Sequence, residues 1–213
     1  MKPKILVFTN HPECSVQSGS GLYEALTPHY NVGFFTVNDI NFSTFKKIDI
    51  IAFPGGIGDS DSFDRLLLPT KEIILECIER GKKYLGICMG AYWTDEFYYS
   101  LLQDARTVQY IKRPDAEIKR PFSTTASINW QGSIEQMFFY DGCAIIGDET
   151  KMDVIARYSN NDPMAIIQSN IGIIGCHPES MQTWYNKPYL KKHWHYYKHH
   201  KLLVDFVQKL VLS

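Results

Sequence analysis

Tyr84-Leu85-Gly86-Ile87-Cys88-Met89-Gly90-Ala91 is an apolar run that leads straight into a cysteine, with glycine two residues before it and two residues after. Such a run predicts a buried strand, Lys83 to Ile87, that turns sharply into a helix with the sulfur at the bend. A nucleophile on so tight a turn has a strained backbone, and its neighbours two residues away must be almost free of side chain to avoid collision. The helix that follows aims the positive end of its dipole at the sulfur, which favours the thiolate. Read alone, the same residues also describe a small buried cysteine packed at a strand end.

Two further strand ends weigh against that plainer reading. Ile174-Gly175-Cys176-His177-Pro178-Glu179 closes a second apolar run. Pro178 biases His177 toward an extended backbone, and residues two apart on an extended chain project to one side, so Glu179 can reach the imidazole. A lone histidine in a loop is more often simply hydrogen-bonded; with Glu179 beside it, His177 reads as a base with its orienting acid. Phe53-Pro54-Gly55-Gly56 follows a third strand, Asp49 to Phe53. Its glycine pair is either a tight turn or a place where backbone N–H groups face a developing oxyanion. In a doubly wound sheet the carboxyl ends of parallel strands share one edge, so Cys88, His177, Glu179 and the N–H groups of Gly55, Gly56 and Met89 would converge there. Cys176 reads as a small core residue rather than a second nucleophile.

The rest of the first half fits such a sheet. Lys4 to Thr9 reads as a strand, Leu22 to Tyr30 as a helix and Val32 to Val37 as a strand. Thr70 can cap a helix whose Ile73, Ile74, Cys77 and Ile78 share one face, with Gly81 suited to the left-handed residue past its end. This alternation predicts an α/β fold: a doubly wound, mostly parallel sheet with helices on both faces. From about Thr107 to Gly175 the pattern changes to short strands and turns, and Asp141-Gly142 between two apolar runs signals a β-hairpin. The segment from Pro188 to Leu212 has Leu202, Leu203, Phe206, Leu210 and Val211 at helical spacing and is expected to pack back on the sheet. There is no repeat, low-complexity tract or linker, so residues 1–213 are expected to form a single domain.

The chain has 213 residues, of which 45% are hydrophobic, enough to bury a sizeable core unaided. Twenty-two basic residues against twenty-three acidic ones leave no overall field to gather nucleic acid or an anionic membrane, so neither partner is expected. The apolar run Ile5 to Phe8 is too short for a signal-peptide core or a membrane span, which points to a soluble, cytoplasmic protein. Five scattered cysteines without a C-x-x-C pair argue against a disulfide framework or a zinc site.

The ordered set of Pro-Gly-Gly, Gly-Ile-Cys-Met-Gly and His-Pro-Glu, each at a strand end, resembles the class I glutamine amidotransferases. That resemblance implies a flavodoxin-like sheet, a catalytic triad of Cys88, His177 and Glu179, and no metal or organic cofactor. Within the superfamily the chain is similar to the N-terminal domain of eukaryotic biotin–protein ligases and its stand-alone relatives, through Phe53-Pro54-Gly55-Gly56, Tyr84 to Tyr92, Trp130, Tyr140-Asp141-Gly142 and Val154 to Tyr158. Biotin transfer itself is not expected, because the chain ends soon after the His-Pro-Glu element. Glutaminases of this type carry glutamine two residues beyond the second elbow glycine, where this chain has Tyr92. Tyr92 and Trp93 either line a different pocket or belong to the core.

Other motifs carry plainer readings. Gly19-Ser20-Gly21 lacks the third glycine of a phosphate loop and reads as a helix-entry loop. Asp59, Asp61 and Asp64 read as solvated loop acids or substrate-facing polar groups. His193, His195, His199 and His200, set among lysines and aromatics, read as a basic, partly exposed helix, with a metal site on His195 and His199 or a nucleic-acid patch as alternatives. The expected function is cleavage of a small carboxamide or γ-glutamyl compound through a thioester, with ammonia passing to a separate synthase partner. The rivals are a binding or regulatory module and a redox-sensing thiol protein on the same fold.

Overall fold

The computed structural model of the protein describes residues 2–12, 14–57 and 59–213. Its first half alternates strands and helices: β1 (Lys4–Phe8), α1 (Val16–Leu26), β2 (Asn31–Phe35), α2 (Phe42–Phe45), β3 (Ile50–Phe53), α3 (Ser60–Leu66), α4 (Lys71–Glu79), β4 (Lys83–Ile87) and α5 (Met89–Tyr92). The second half holds β5 (Ala105–Gln109), β6 (Thr124–Trp130), β7 (Ser133–Phe139), β8 (Cys143–Gly147), β9 (Asp153–Tyr158), β10 (Pro163–Gln168), β11 (Ile171–Ile174), α6 (Pro188–Lys191) and α7 (Lys198–Leu212).

Nine strands form one sheet in the order β2-β1-β3-β4-β11-β10-β9-β6-β7. The pairings from β2 to β11 are parallel and those from β11 to β7 antiparallel, so the expected doubly wound sheet is present but mixed. Its parallel strands are apolar on both faces, as strands covered by helices must be. Ile50 to Phe53 are all buried, for instance, and so are Tyr84 to Ile87. Leu22 and Leu26 of α1 share one core with Leu203, Phe206 and Leu210 of α7. Phe45 of α2, Phe63 of α3 and Ile74 of α4 belong to the core on the opposite face.

Several boundaries depart from the sequence reading. α1 begins at Val16, capped by the Ser15 hydroxyl, and carries Gly19 and Gly21 inside it, so these glycines are helical rather than an entry loop. The Thr70 hydroxyl bonds the Leu67 carbonyl instead of capping α4, whereas Gly81 does take a left-handed backbone, φ +89°. Asp59 caps α3 by accepting from the Ser62 N–H at 2.6 Å. The Asp141-Gly142 hairpin does not form, because β7 pairs with β6 while β8 pairs with β5 in a separate two-stranded sheet. Gly142 meets a packing demand instead: a Cβ there would overlap the Gly175 carbonyl, next to the His-Pro-Glu loop. The tight hairpin joins β6 to β7 through Gln131 and Gly132, at φ +49° and +91°, the positive pair a two-residue type I′ turn requires. The C-terminal helical segment is broken between α6 and α7, where Tyr196 and Tyr197 adopt φ +48° and +64°.

Candidate active site

Cys88 sits between β4 and α5 with φ +49° and ψ −100°, a conformation that L residues rarely adopt. The two elbow glycines make it feasible. A Cβ on Gly86 would overlap the backbone of Gly90, and one on Gly90 would overlap the Phe53 carbonyl, closing the gap between the elbow and β3. The helix after the elbow is a single turn. The Met89 and Gly56 N–H groups donate to no protein acceptor among the described residues.

The His-Pro-Glu loop follows β11, the strand beside β4, so His177 and Glu179 meet Cys88 across one pair of parallel strands. The His177 backbone N–H donates to the Phe138 carbonyl at 2.9 Å, tying the loop to the end of β7. His177 Nδ1 lies 2.8 Å from Glu179 Oε1, and both side chains are buried. Burial alone would push the imidazole down. The Glu179 carboxylate, the Cys88 sulfur and hydrogen bonds to both outweigh it and hold His177 up at about 10. An imidazole so held keeps its proton at neutral pH and stays charged.

Gly55 has a different task from the one its motif suggested. Its N–H donates to Ser18 Oγ at 2.8 Å, so of the three N–H groups expected to face an oxyanion it is already occupied. Ser18 Oγ in turn donates to Glu179 Oε1 at 2.6 Å. One fully buried serine thus joins the Pro-Gly-Gly loop to the acid of the His-Pro-Glu loop. Gly21, one turn further along α1, lies so close to the Glu179 carbonyl that any Cβ would overlap it. Ser18 was not singled out from the sequence; its signal was a serine three residues after the Ser15 cap, on the buried side of an apolar helix.

Cys88 and His177 open on a cavity of about 500 Å³, walled by Gly55, Gly56, Phe138 and Trp184. The Trp184 ring packs edge-on against both His177 and Phe138, with centroids 5.4 and 5.0 Å apart. Lys187 and Asn186 bring polar groups to the mouth. Tyr92 and Trp93 do not line this cavity. Trp93 is fully buried among Phe8, Phe53 and Phe63, which makes it a core residue. Tyr92 donates its hydroxyl to the Asp141 carbonyl at 3.2 Å, and burial together with nearby Cys143 and Cys88 raises its pKa. Cys143 and Cys176 are fully buried, and burial pushes both thiols well up.

The C-terminal histidines are also placed differently from the expected exposed helix. His195 Nε2 and His200 Nε2 both bond the Ser180 carbonyl, at 3.2 and 3.1 Å, and His199 is buried beside Glu135. His195 and His200 thus brace Ser180, the residue after Glu179. No group of three His, Cys, Asp or Glu side chains is placed to hold a metal among the described residues. Among the same residues, no helix is long and apolar enough to cross a membrane.

A family model for class-I glutamine amidotransferases matches residues 25–196, a span that includes Gly55, Gly56, Cys88, His177 and Glu179. The chain belongs to the class-I glutamine amidotransferases. As a class-I amidotransferase it has the fold of several solved structures. A glutamine amidotransferase from Thermotoga maritima superposes with a TM-score of 0.68 at 9% identity, over 100% of both chains. PurLQS from Thermotoga maritima gives 0.66 at 15% identity, over 97% of this chain and 100% of that one. A protein described as a GMP synthase subunit from Thermoplasma acidophilum gives 0.60 at 17% identity, over 98% of each. At these identities the likeness is one of fold. No curated protein sequence matches the chain. The family match does not extend to a particular likeness with biotin–protein ligases.

Proposed function

We propose that this class-I amidotransferase cleaves the amide of a small carboxamide or γ-glutamyl compound, with Cys88 as nucleophile, His177 as acid–base and Glu179 as its orienting carboxylate. The observation that carries the reading is the buried 2.8 Å His177–Glu179 bond beside a strained Cys88 at the wall of the same cavity. The Cys88 sulfur attacks the amide carbon while the Gly56 and Met89 N–H groups hold the oxyanion. His177 delivers a proton to the departing nitrogen, the C–N bond breaks, and ammonia leaves a thioester on Cys88. Water then attacks the thioester, His177 takes its proton, the C–S bond breaks, and the acid product gives its remaining proton to solvent and leaves as the carboxylate, with Cys88 and His177 back in their starting states. No step calls on a metal or an organic cofactor.

The ammonia would pass to a separate synthase partner; the fold the chain shares with PurLQS and the GMP synthase protein supports that reading. We also place it nearest the biotin–protein ligase N-terminal domain within its family, on the motifs from Phe53 to Gly56 and Tyr84 to Tyr92. Tyr92, standing where glutaminases carry glutamine, favours a second reading, a module that binds the carboxamide without turning it over. Ammonia release from a panel of carboxamides separates the two. Turnover that Cys88→Ser abolishes supports the hydrolase. Binding in the cavity without release on any member supports the module.

A further inference from the structure

The opposite edge of the sheet holds a second cavity, of about 490 Å³, whose walls include Lys2, Lys4, Lys47, Arg80, Lys82 and Lys83. Asp49 is the one carboxylate among them. Lys4 opens β1 and Lys83 opens β4, while Lys47 and Asp49 precede β3, which lies between those strands. The cations therefore crowd the amino ends of three adjacent parallel strands, whose carboxyl ends carry the site at Cys88. Five residues of β4 separate the two, roughly 16 Å at about 3.3 Å per residue.

The charge there is concentrated and largely uncompensated. Six of the chain's twenty-two basic residues line this one cavity, although the whole chain is at −1. Arg80 is paired with Glu76. Three ammonium groups bond main-chain oxygens: Lys2 to Pro28 at 2.8 Å, Lys82 to Lys46 at 3.2 Å and Lys83 to Ser213 at 2.6 Å. The Asp49 carboxylate accepts the Lys4 backbone N–H at 2.8 Å. Lys2, Lys4, Lys47 and Lys82 form no ion pair among the described residues, so their charges face one concavity and repel one another unless an anion joins them.

We propose that this cleft binds a compact, soluble polyphosphate-bearing molecule. Its walls contain no aromatic ring, so they offer no platform for stacked bases of a nucleic-acid strand. Pro3 and Val211 are their only apolar side chains apart from lysine stems, too little to enter a lipid bilayer. Lysines act as mobile point charges rather than fixed forks, so the cleft reads the number of negative charges on its ligand more than their geometry.

The test is calorimetric titration of the full chain with inorganic triphosphate at low ionic strength, repeated with sulfate at matched ionic strength. The expected result is saturable binding of one triphosphate, tighter than sulfate by at least tenfold and weakened at least tenfold in K4Q/K82Q. A control pair on another surface, K119Q/R120Q, should bind like the parent, and so should Cys88→Ala, which separates this site from the catalytic reading. Circular dichroism checks that each variant is folded. No binding, equal binding of sulfate, or equal loss in the control pair would overturn the proposal. Tighter binding of a single-stranded oligonucleotide or of phosphatidylserine vesicles than of triphosphate would overturn it too.

Discussion

Ser18→Ala removes one oxygen and should damage two loops at once. In the parent the hydroxyl accepts the Gly55 N–H at 2.8 Å and donates to Glu179 Oε1 at 2.6 Å, with no exposure to solvent. Alanine leaves a buried N–H without an acceptor and takes a donor from a buried carboxylate. Each loss costs about 1–3 kcal/mol, so the sum is about 2–5 kcal/mol after some relaxation. In a chain of this size that corresponds to a fall in Tm of roughly 5–15 °C. Glu179 would still hold His177 through their own bond, but both the Gly55 loop and the carboxylate lose their fixed distance from Cys88. Misplacement on that scale lowers the rate at the cavity by roughly 10- to 100-fold. Thermal unfolding by circular dichroism and the rate of Cys88 alkylation by iodoacetamide measure the two effects, with Ser62→Ala as a buried-serine control outside the site. If Ser18→Ala melted within about 1 °C of the parent and was alkylated at the same rate, the bridging role would be refuted.

Other outcomes follow from the same geometry. Gly90→Ala should destabilise by about 1–3 kcal/mol or prevent folding, because its Cβ meets the Phe53 carbonyl, a fixed main-chain atom; chemical denaturation reads this. Iodoacetamide near neutral pH should modify Cys88 before Cys77, Cys143 or Cys176, with His177→Ala slowing the reaction and Glu179→Gln slowing it less, as peptide mapping would show. His177 is held at about 10 against an ordinary value of 6.5, so its contribution to stability is complete below pH 6.5 and is lost as the pH rises toward 10. The stability gap between parent and His177→Ala should narrow across that window. His195 is lowered to about 3 by burial and by His199 and His200, and His199 to about 4 by burial that outweighs the pull of Glu135. Both stay neutral when folded, so stability drains away as the pH falls from 6.5 toward 4, and His195→Gln, which can still bond Ser180, should lose less over that range.

What the sequence made legible was whatever depends on neighbours along the chain. The elbow could be read because Gly86 and Gly90 flank Cys88 at fixed offsets; the His177–Glu179 pair could be read from its spacing, although the two meet around a turn closed by the Ser180 N–H on the His177 carbonyl rather than along an extended segment. β4 could be read from its unbroken apolar run between Gly81 and the elbow. The parts that escaped depend on distant residues. Ser18 lies 161 positions from the carboxylate it bonds, a partner that no local pattern names. Asp141-Gly142 has the composition of a hairpin, but Gly142 is needed for a close approach to Gly175, and β7 and β8 found other partners. The C-terminal histidines looked solvated because lysines alternate with them; the two left-handed tyrosines before α7 redirect the chain and turn His199 and His200 inward. Trp93 could be assigned to core or pocket only by seeing that Phe8, Phe53 and Phe63 surround it.

The most direct test of amide-cleaving chemistry at Cys88 is intact-mass and peptide-mapping spectrometry after exposing the chain to a glutamine-like chloroketone and to its γ-glutamyl counterpart. A nucleophilic Cys88 beside a charged His177 should give one adduct per chain, located on Cys88 and absent from Cys88→Ser. It should form at least tenfold more slowly in His177→Ala. A chain that takes up neither reagent, or takes them up on Cys77 as readily as on Cys88, would contradict a catalytic triad of Cys88, His177 and Glu179.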